Sequence, residues 1–220
     1  VHDRIMQSAR WSSQKLARRL DFFSMGTHCK IVFQATQGTG RAFGQDALEW
    51  VADFEARYSR FIDASLISRI NAQAGKDWVS VDPETETLLN LCQEAHFLSR
   101  GVFDPTTLPL SRLWKWNATT PTIPTETQIQ EARDKVGWTR VQRRPGSVFL
   151  PVTGMCLDFG GIGKEYAVDY VAGLARTHGI DDILVDFGQD LYATGTPFDG
   201  RPAWHIGLED PDCPGQRSSK

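Results

Sequence analysis

Hydrophobic positions along this chain change their spacing from segment to segment, and the changes predict its elements. Residues 29–33, with Ile31, Val32 and Phe33 together, read as a strand. Residues 45–57 place Leu48, Val51 and Ala52 on one face at helical spacing, so strand then helix opens the fold. A second helix begins at Asp82-Pro83-Glu84, ahead of Leu88, Leu91, Cys92 and Ala95. There Asp can cap the free amides, Pro suits the first turn, and Glu favours the positive helix end. Thr125-Glu126 starts a shorter helix carrying Ile129, Ala132 and Val136 and stopping at Gly137. Residues 139–142 and 147–150 then form a hairpin about Pro145-Gly146.

From Met155 the pattern becomes strand (155–159), glycine turn (160–163), a helix of about 15 residues to His178, and a strand at 183–187. That connection length suits a crossover unit. Residues 188–208 alternate turn signals such as Phe198-Asp199-Gly200 with short apolar strands. The predicted class is α+β: mixed, mainly antiparallel sheets with flanking helices. The only loop-rich interruption, residues 117–125, is a surface loop or a boundary, and no internal repeat is present.

The 220 residues, 40% hydrophobic and 23% charged, suffice for one substantial core or two small ones. A net charge of -3 supplies no basic field for nucleic acid, so any phosphate bound belongs to a small molecule. The four cysteines, Cys29, Cys92, Cys156 and Cys213, form no C-x-x-C pair, which argues against a zinc cluster and leaves the redox compartment open. No apolar run reaches the length of a membrane helix. The start, Val1 to Met6, has no apolar core of a signal peptide and does not open on methionine. The polar tail from Gly215 reads as a frayed or truncated end.

The turn Gly160-Gly161-Ile162-Gly163 has two readings. Glycines let a backbone approach a ligand while the following helix presents amides to anionic oxygens, with Lys164 as a point charge. Equally, glycines pack tightly between a strand and a helix, and the spacing matches neither the dinucleotide nor the Walker fingerprint. Asp104, before Pro105, likewise reads as a turn former or as an acceptor of ligand hydrogen bonds. Asp158, Asp186 and Asp190 share no established face and receive no catalytic role.

Five segments in order resemble the FAD:protein FMN transferase (ApbE-type) family. They are Met25-Gly26-Thr27; Tyr58-Ser59-Arg60-Phe61 followed by Ser65-Leu66-Ile67-Ser68-Arg69-Ile70-Asn71; Gly101-Val102-Phe103-Asp104-Pro105-Thr106 with Pro109-Leu110 and Trp114; Leu157-Asp158-Phe159-Gly160-Gly161-Ile162-Gly163-Lys164-Glu165-Tyr166-Ala167-Val168-Asp169; and Leu184-Val185-Asp186-Phe187-Gly188-Gln189-Asp190 with Gly195-Thr196 after it. The resemblance implies transfer of FMN from FAD to a Thr or Ser hydroxyl of a target flavoprotein, with release of AMP and a need for Mg2+. It implies cofactor contacts at Met25, Phe61, Ile62, Asp63, Asp104 and Lys164, and a metal contact through the carbonyl of Gly161. The partners implied are FAD and the target flavoprotein, at the periplasmic face of the bacterial inner membrane.

The resemblance divides the chain into an N-terminal extension (1–20), an incomplete ApbE-like domain (21–212) and a tail (213–220). The family's remaining metal ligands and its His-x-x-Asp-Pro motif are expected beyond Lys220, so the chain resembles the N-terminal two-thirds of a family member. It is expected to be inactive alone; the alternative is a truncated module that holds FAD without transferring it. Glu165 and Gln189 stand where the family often has glycine.

Overall fold

The computed structural model describes residues 1–15, 17–114, 122–209 and 217–218. The Asn117 to Pro121 part of the proposed loop, Cys213 and most of the polar tail lie outside the described residues.

In chain order the elements are α1 (His2–Ser8), β1 (Arg10–Gln14), β2 (Ala17–Ser24), β3 (Thr27–Gln34), α2 (Gln37–Tyr58), α3 (Leu66–Ala72), β4 (Val79–Ser80) and α4 (Pro83–Leu98). There follow α5 (Leu108–Ser111), α6 (Glu126–Arg133), a 3-10 turn (Trp138–Arg140), β5 (Gln142–Arg144), β6 (Ser147–Phe149), α7 (Gly163–Thr177), β7 (Ile183–Phe187), β8 (Asp190–Thr194), β9 (Leu208–Glu209) and β10 (Arg217–Ser218). The α+β class read from the sequence is the one observed. Two compact units are present. One holds Val1–Gln7, Ser24–Gly26 and Leu48–Ala167; the other holds Ser8–Phe23, Thr27–Ala47 and Val168–Lys220.

The second unit is built on a five-stranded sheet of order β1-β2-β3-β7-β8. In β3, Cys29, Ile31 and Phe33 are buried, and antiparallel pairing with β7 sets them opposite Phe187, Val185 and Ile183. The same register aligns Lys30 with Asp186, whose ion pair closes at 2.9 Å on the other face. Edge-to-face rings, Phe33 with Phe43 at 4.9 Å and Phe22 with Phe187 at 5.7 Å, fill the core. Helix α2 begins at Gln37, eight residues before the start read from the sequence. Gly38, Gly40 and Gly44 weaken helix propensity there, and packing overrides it: a Cβ on Gly44 would stand 2.2 Å from the Trp11 indole. The hairpin from β7 to β8 turns on Gly188 (φ 66) and Gln189 (φ 79), the two positive φ values of a type I′ turn.

The first unit is helical with a three-stranded sheet of order β4-β6-β5. Asp82 caps α4 as expected, accepting the Thr85 amide at 2.9 Å behind Pro83. Thr125 and Gln128 form a reciprocal capping box at the start of α6. The hairpin strand expected at 139–142 lies later, at β5, because Gly137 (φ 151) turns the chain and Trp138 is buried in the 3-10 turn.

Residues 155–159 are a second correction: all but the half-buried Asp158 are buried, yet they join no sheet. The Asn71 side chain takes the place of a neighbouring strand, accepting the Leu157 amide at 2.7 Å and donating to its carbonyl at 2.9 Å. The Asp158 amide donates to the Pro105 carbonyl at 2.9 Å. With no strand ahead of α7, and with β7 antiparallel to both its neighbours, the expected crossover unit is absent from this region.

Candidate functional site

Within the first unit, a cleft of about 540 Å³ collects residues far apart in sequence. Its walls are the Met25-Gly26 hairpin tip, the end of α2 with the Ser59 to Ile62 turn, and the Asp158 to Lys164 turn that opens α7; α1 adds Val1 and Arg4.

The α2 wall is aromatic. Phe54 lies 4.8 Å from Tyr58 and stacks on Tyr166 at 5.7 Å and 22°, while Tyr58 meets Phe159 at 5.8 Å. Burial pushes the Tyr58 phenol well above its ordinary value, against the smaller lowering effect of its hydrogen bonds with Thr85 and Arg57. It is therefore a neutral hydrogen-bonding group, anchored to the Thr85 hydroxyl at 3.0 Å and to Glu84 at 3.1 Å.

Charge is concentrated at the rim. Arg60 pairs with Asp158 at 3.2 Å and holds its guanidinium 4.6 Å from the centre of the Phe61 ring. Phe61 itself is 82% exposed, an aromatic face presented to solvent. Asp158 also accepts the Gly160 amide at 3.1 Å, which fixes the turn before α7. Lys164 stands in the first turn of that helix, where the dipole favours anions. The arrangement suits a flat aromatic ligand that also carries negative charge.

The Met25 wall is held from beneath. Met25 (φ 50) and Gly26 (φ 74) form the two-residue turn between β2 and β3, and left-handed backbone costs a non-glycine residue roughly 1–2 kcal/mol. Glu55 answers that cost. Its Oε2 accepts the Met25 amide at 2.9 Å and the Ser24 hydroxyl at 2.7 Å, and its Oε1 accepts Arg4 at 2.5 Å.

The structure thus brings together four of the residues implied by the resemblance: Met25, Phe61, Ile62 and Lys164. Asp63 follows Ile62 and is exposed, outside the cleft walls. Asp104 also lies outside them. Its Oδ1 accepts the Thr106 amide at 2.7 Å and hydroxyl at 2.5 Å, and its Oδ2 accepts the Trp138 amide at 3.0 Å. Gly161 backs onto Phe103, whose ring would stand 3.0 Å from an added Cβ. Three of the quoted segments therefore converge behind the glycine turn, through Asn71, the Phe103 to Pro105 loop and Leu157 to Gly161. Glu55 and Arg4 were missed by the sequence reading. The available signal was a carboxylate at position 55 between the ring-bearing positions 54 and 58 of one helix.

Magnesium is not matched by the residues present. Among the described residues, no three His, Cys, Asp or Glu side chains come together to hold a metal ion. One carbonyl, that of Gly161, falls short of the near-octahedral oxygen set magnesium requires.

The fold is that of flavin transferases of known structure. The chain superposes on the flavin transferase ApbE of Vibrio cholerae with a TM-score of 0.83, covering 96% of this chain and 68% of that one at 22% identity. On the ApbE protein of Thermotoga maritima the TM-score is 0.80, covering 90% and 65% at 28% identity. In sequence it is 31% identical over 169 residues to the FAD:protein FMN transferase of Treponema pallidum, covering 70% of this chain and 47% of the relative. Residues 25–220 match the ApbE family, and the chain belongs to it. It spans about half the length of the curated relatives it matches.

Proposed function

We propose that this chain forms the FAD-holding side of an FAD:protein FMN transferase. The observation that carries the reading is the meeting of Met25, Phe61, Ile62 and Lys164 in one cleft beside the turn into α7. Phe61 and the Met25 thioether take the flat ring, Ile62 lines the pocket, and Asp63 contacts the cofactor at the rim. Lys164 and the start of α7 face the diphosphate. A cofactor contact for Asp104, which lies outside the cleft walls, is proposed on family resemblance.

In the reaction, an acceptor Thr or Ser oxygen of the target flavoprotein bonds to the FMN phosphorus as its bond to the bridging oxygen breaks; that oxygen leaves with AMP and the hydroxyl proton is released to solvent. This chain's share is positioning: it orients the flavin and sets the diphosphate against positive charge. The Mg2+ requirement and the Gly161 carbonyl contact rest on family resemblance, since among the described residues no three His, Cys, Asp or Glu side chains come together to hold the metal. No step is assigned to the metal.

The 220-residue chain by itself is proposed to hold FAD without transferring FMN. The reading rests on family resemblance and on the chain spanning about half the length of its curated relatives. The proposed location is the periplasmic face of the bacterial inner membrane, on family resemblance; no helix among the described residues is long and apolar enough to cross a membrane. The test incubates the chain with FAD, Mg2+ and a target flavoprotein, using the Treponema pallidum relative and its own target as the positive control. Gel-retained flavin fluorescence is expected in the control and absent with the 220-residue chain. Labelling by this chain would overturn its proposed inactivity.

A further inference from the structure

We propose that Glu55 is a positioning residue for flavin binding, which clamps Met25 in its left-handed conformation at the cleft rim and couples that rim to α1 through Arg4. The part concerning FAD rests on the reading of the cleft given above. The Glu55 side chain is 10% exposed, yet each of its oxygens is engaged. Oε2 serves the hairpin tip, at the Met25 amide and the Ser24 hydroxyl. Oε1 serves Arg4, on a helix whose Ile5 is wholly buried and whose His2 pairs with Asp53 at 2.9 Å.

The division between the two oxygens has a chemical consequence. A glutamine can keep its carbonyl on the hairpin tip but then turns an amide nitrogen, a donor, toward the Arg4 donors. Glu55→Gln should leave Met25 in place and release α1. Glu55→Ala should release both. Arg4 lies before the family-matched segment that starts at residue 25, so this half of the clamp comes from outside that segment.

The three methionines report the three parts separately: Met25 the rim, Met6 on α1, and Met155 the core, where it is 0% exposed. With 13C-methyl methionine labelling of the 220-residue chain, Glu55→Ala should move the Met25 and Met6 resonances, leave Met155 unchanged and weaken FAD affinity at least tenfold. Glu55→Gln should move Met6 alone and keep FAD affinity within about threefold, a selective rescue that general loosening would not produce. Should Glu55→Ala also displace Met155, Glu55→Gln decides the matter. Met25 in place with Met6 displaced supports the clamp; Met25 displaced with Met155 intact overturns it. An unmoved Met25 in a folded Glu55→Ala variant overturns it as well. If FAD leaves all resonances of the unmodified chain unchanged while Glu55→Ala still moves Met25, the flavin reading fails and the clamp stands.

Discussion

The Asn71 carboxamide is joined to the Leu157 backbone by two hydrogen bonds, one accepted from the amide at 2.7 Å and one donated to the carbonyl at 2.9 Å. Leu157 is fully buried, so removing that side chain leaves both backbone groups without their partner and without water. Asn71→Ala should lower the unfolding free energy by about 2–3 kcal/mol in urea denaturation. Asn71→Asp should lose a comparable amount, because a carboxylate cannot donate to the carbonyl. A loss below about 0.5 kcal/mol would show that the bridge is not what holds this segment.

Gln189 offers a stabilising change. It occupies φ 79 in the turn from β7 to β8, where glycine fits without a Cβ penalty. Gln189→Gly should raise stability by about 0.5–1 kcal/mol, the relief of left-handed strain exceeding the entropy added to the unfolded chain. Thermal unfolding checks this. At the neighbouring Gly188 the reverse holds: an added Cβ would stand 2.4 Å from the Thr27 hydroxyl, so Gly188→Ala should destabilise.

The cap of α4 predicts a pH dependence. Burial raises the Asp82 carboxyl, but the Thr85 hydroxyl and amide hydrogen bonds, with Arg57 beside it, outweigh burial and leave it below the ordinary value of 3.8. A depressed folded pKa contributes stability that is fully present above the ordinary carboxylate value and is lost as pH falls through the depressed one. Asp82→Ala should therefore cost about 1 kcal/mol near neutral pH, and the gap to the unmodified chain should close in acid. A gap that stays constant with pH would assign the loss to packing instead.

Much of the fold was legible where local chemistry dictates local structure. Asp82-Pro83-Glu84 and Thr125-Glu126 announce helix starts because Asp and Thr side chains can satisfy the first amides, and both helices begin there; the reciprocal bond from Gln128 was not read from the sequence. Burial alone misled at residues 155–159: an apolar run shows that a segment is inside, not which group completes its hydrogen bonds. The α2 start was hidden because its three glycines argue against a helix locally, and the Trp11 contact that requires Gly44 is not local. The cleft divides in the same way. Met25, Phe61, Ile62 and Lys164 came from ordered family motifs, whereas Glu55 acts through a hairpin tip 30 residues away in sequence, a pairing no spacing rule predicts.

Flavin is proposed to occupy the cleft, and Phe61 separates binding from folding because its ring is exposed in this structure. The most direct measurement is a titration of FAD into the 220-residue chain and its Phe61→Ala variant, followed by flavin fluorescence, with thermal unfolding in parallel. The predicted result is saturable binding that weakens about tenfold in the variant, equivalent to about 1.4 kcal/mol, with stability unchanged within about 0.5 kcal/mol. Absence of saturable binding, or equal affinity in the two proteins, would contradict it.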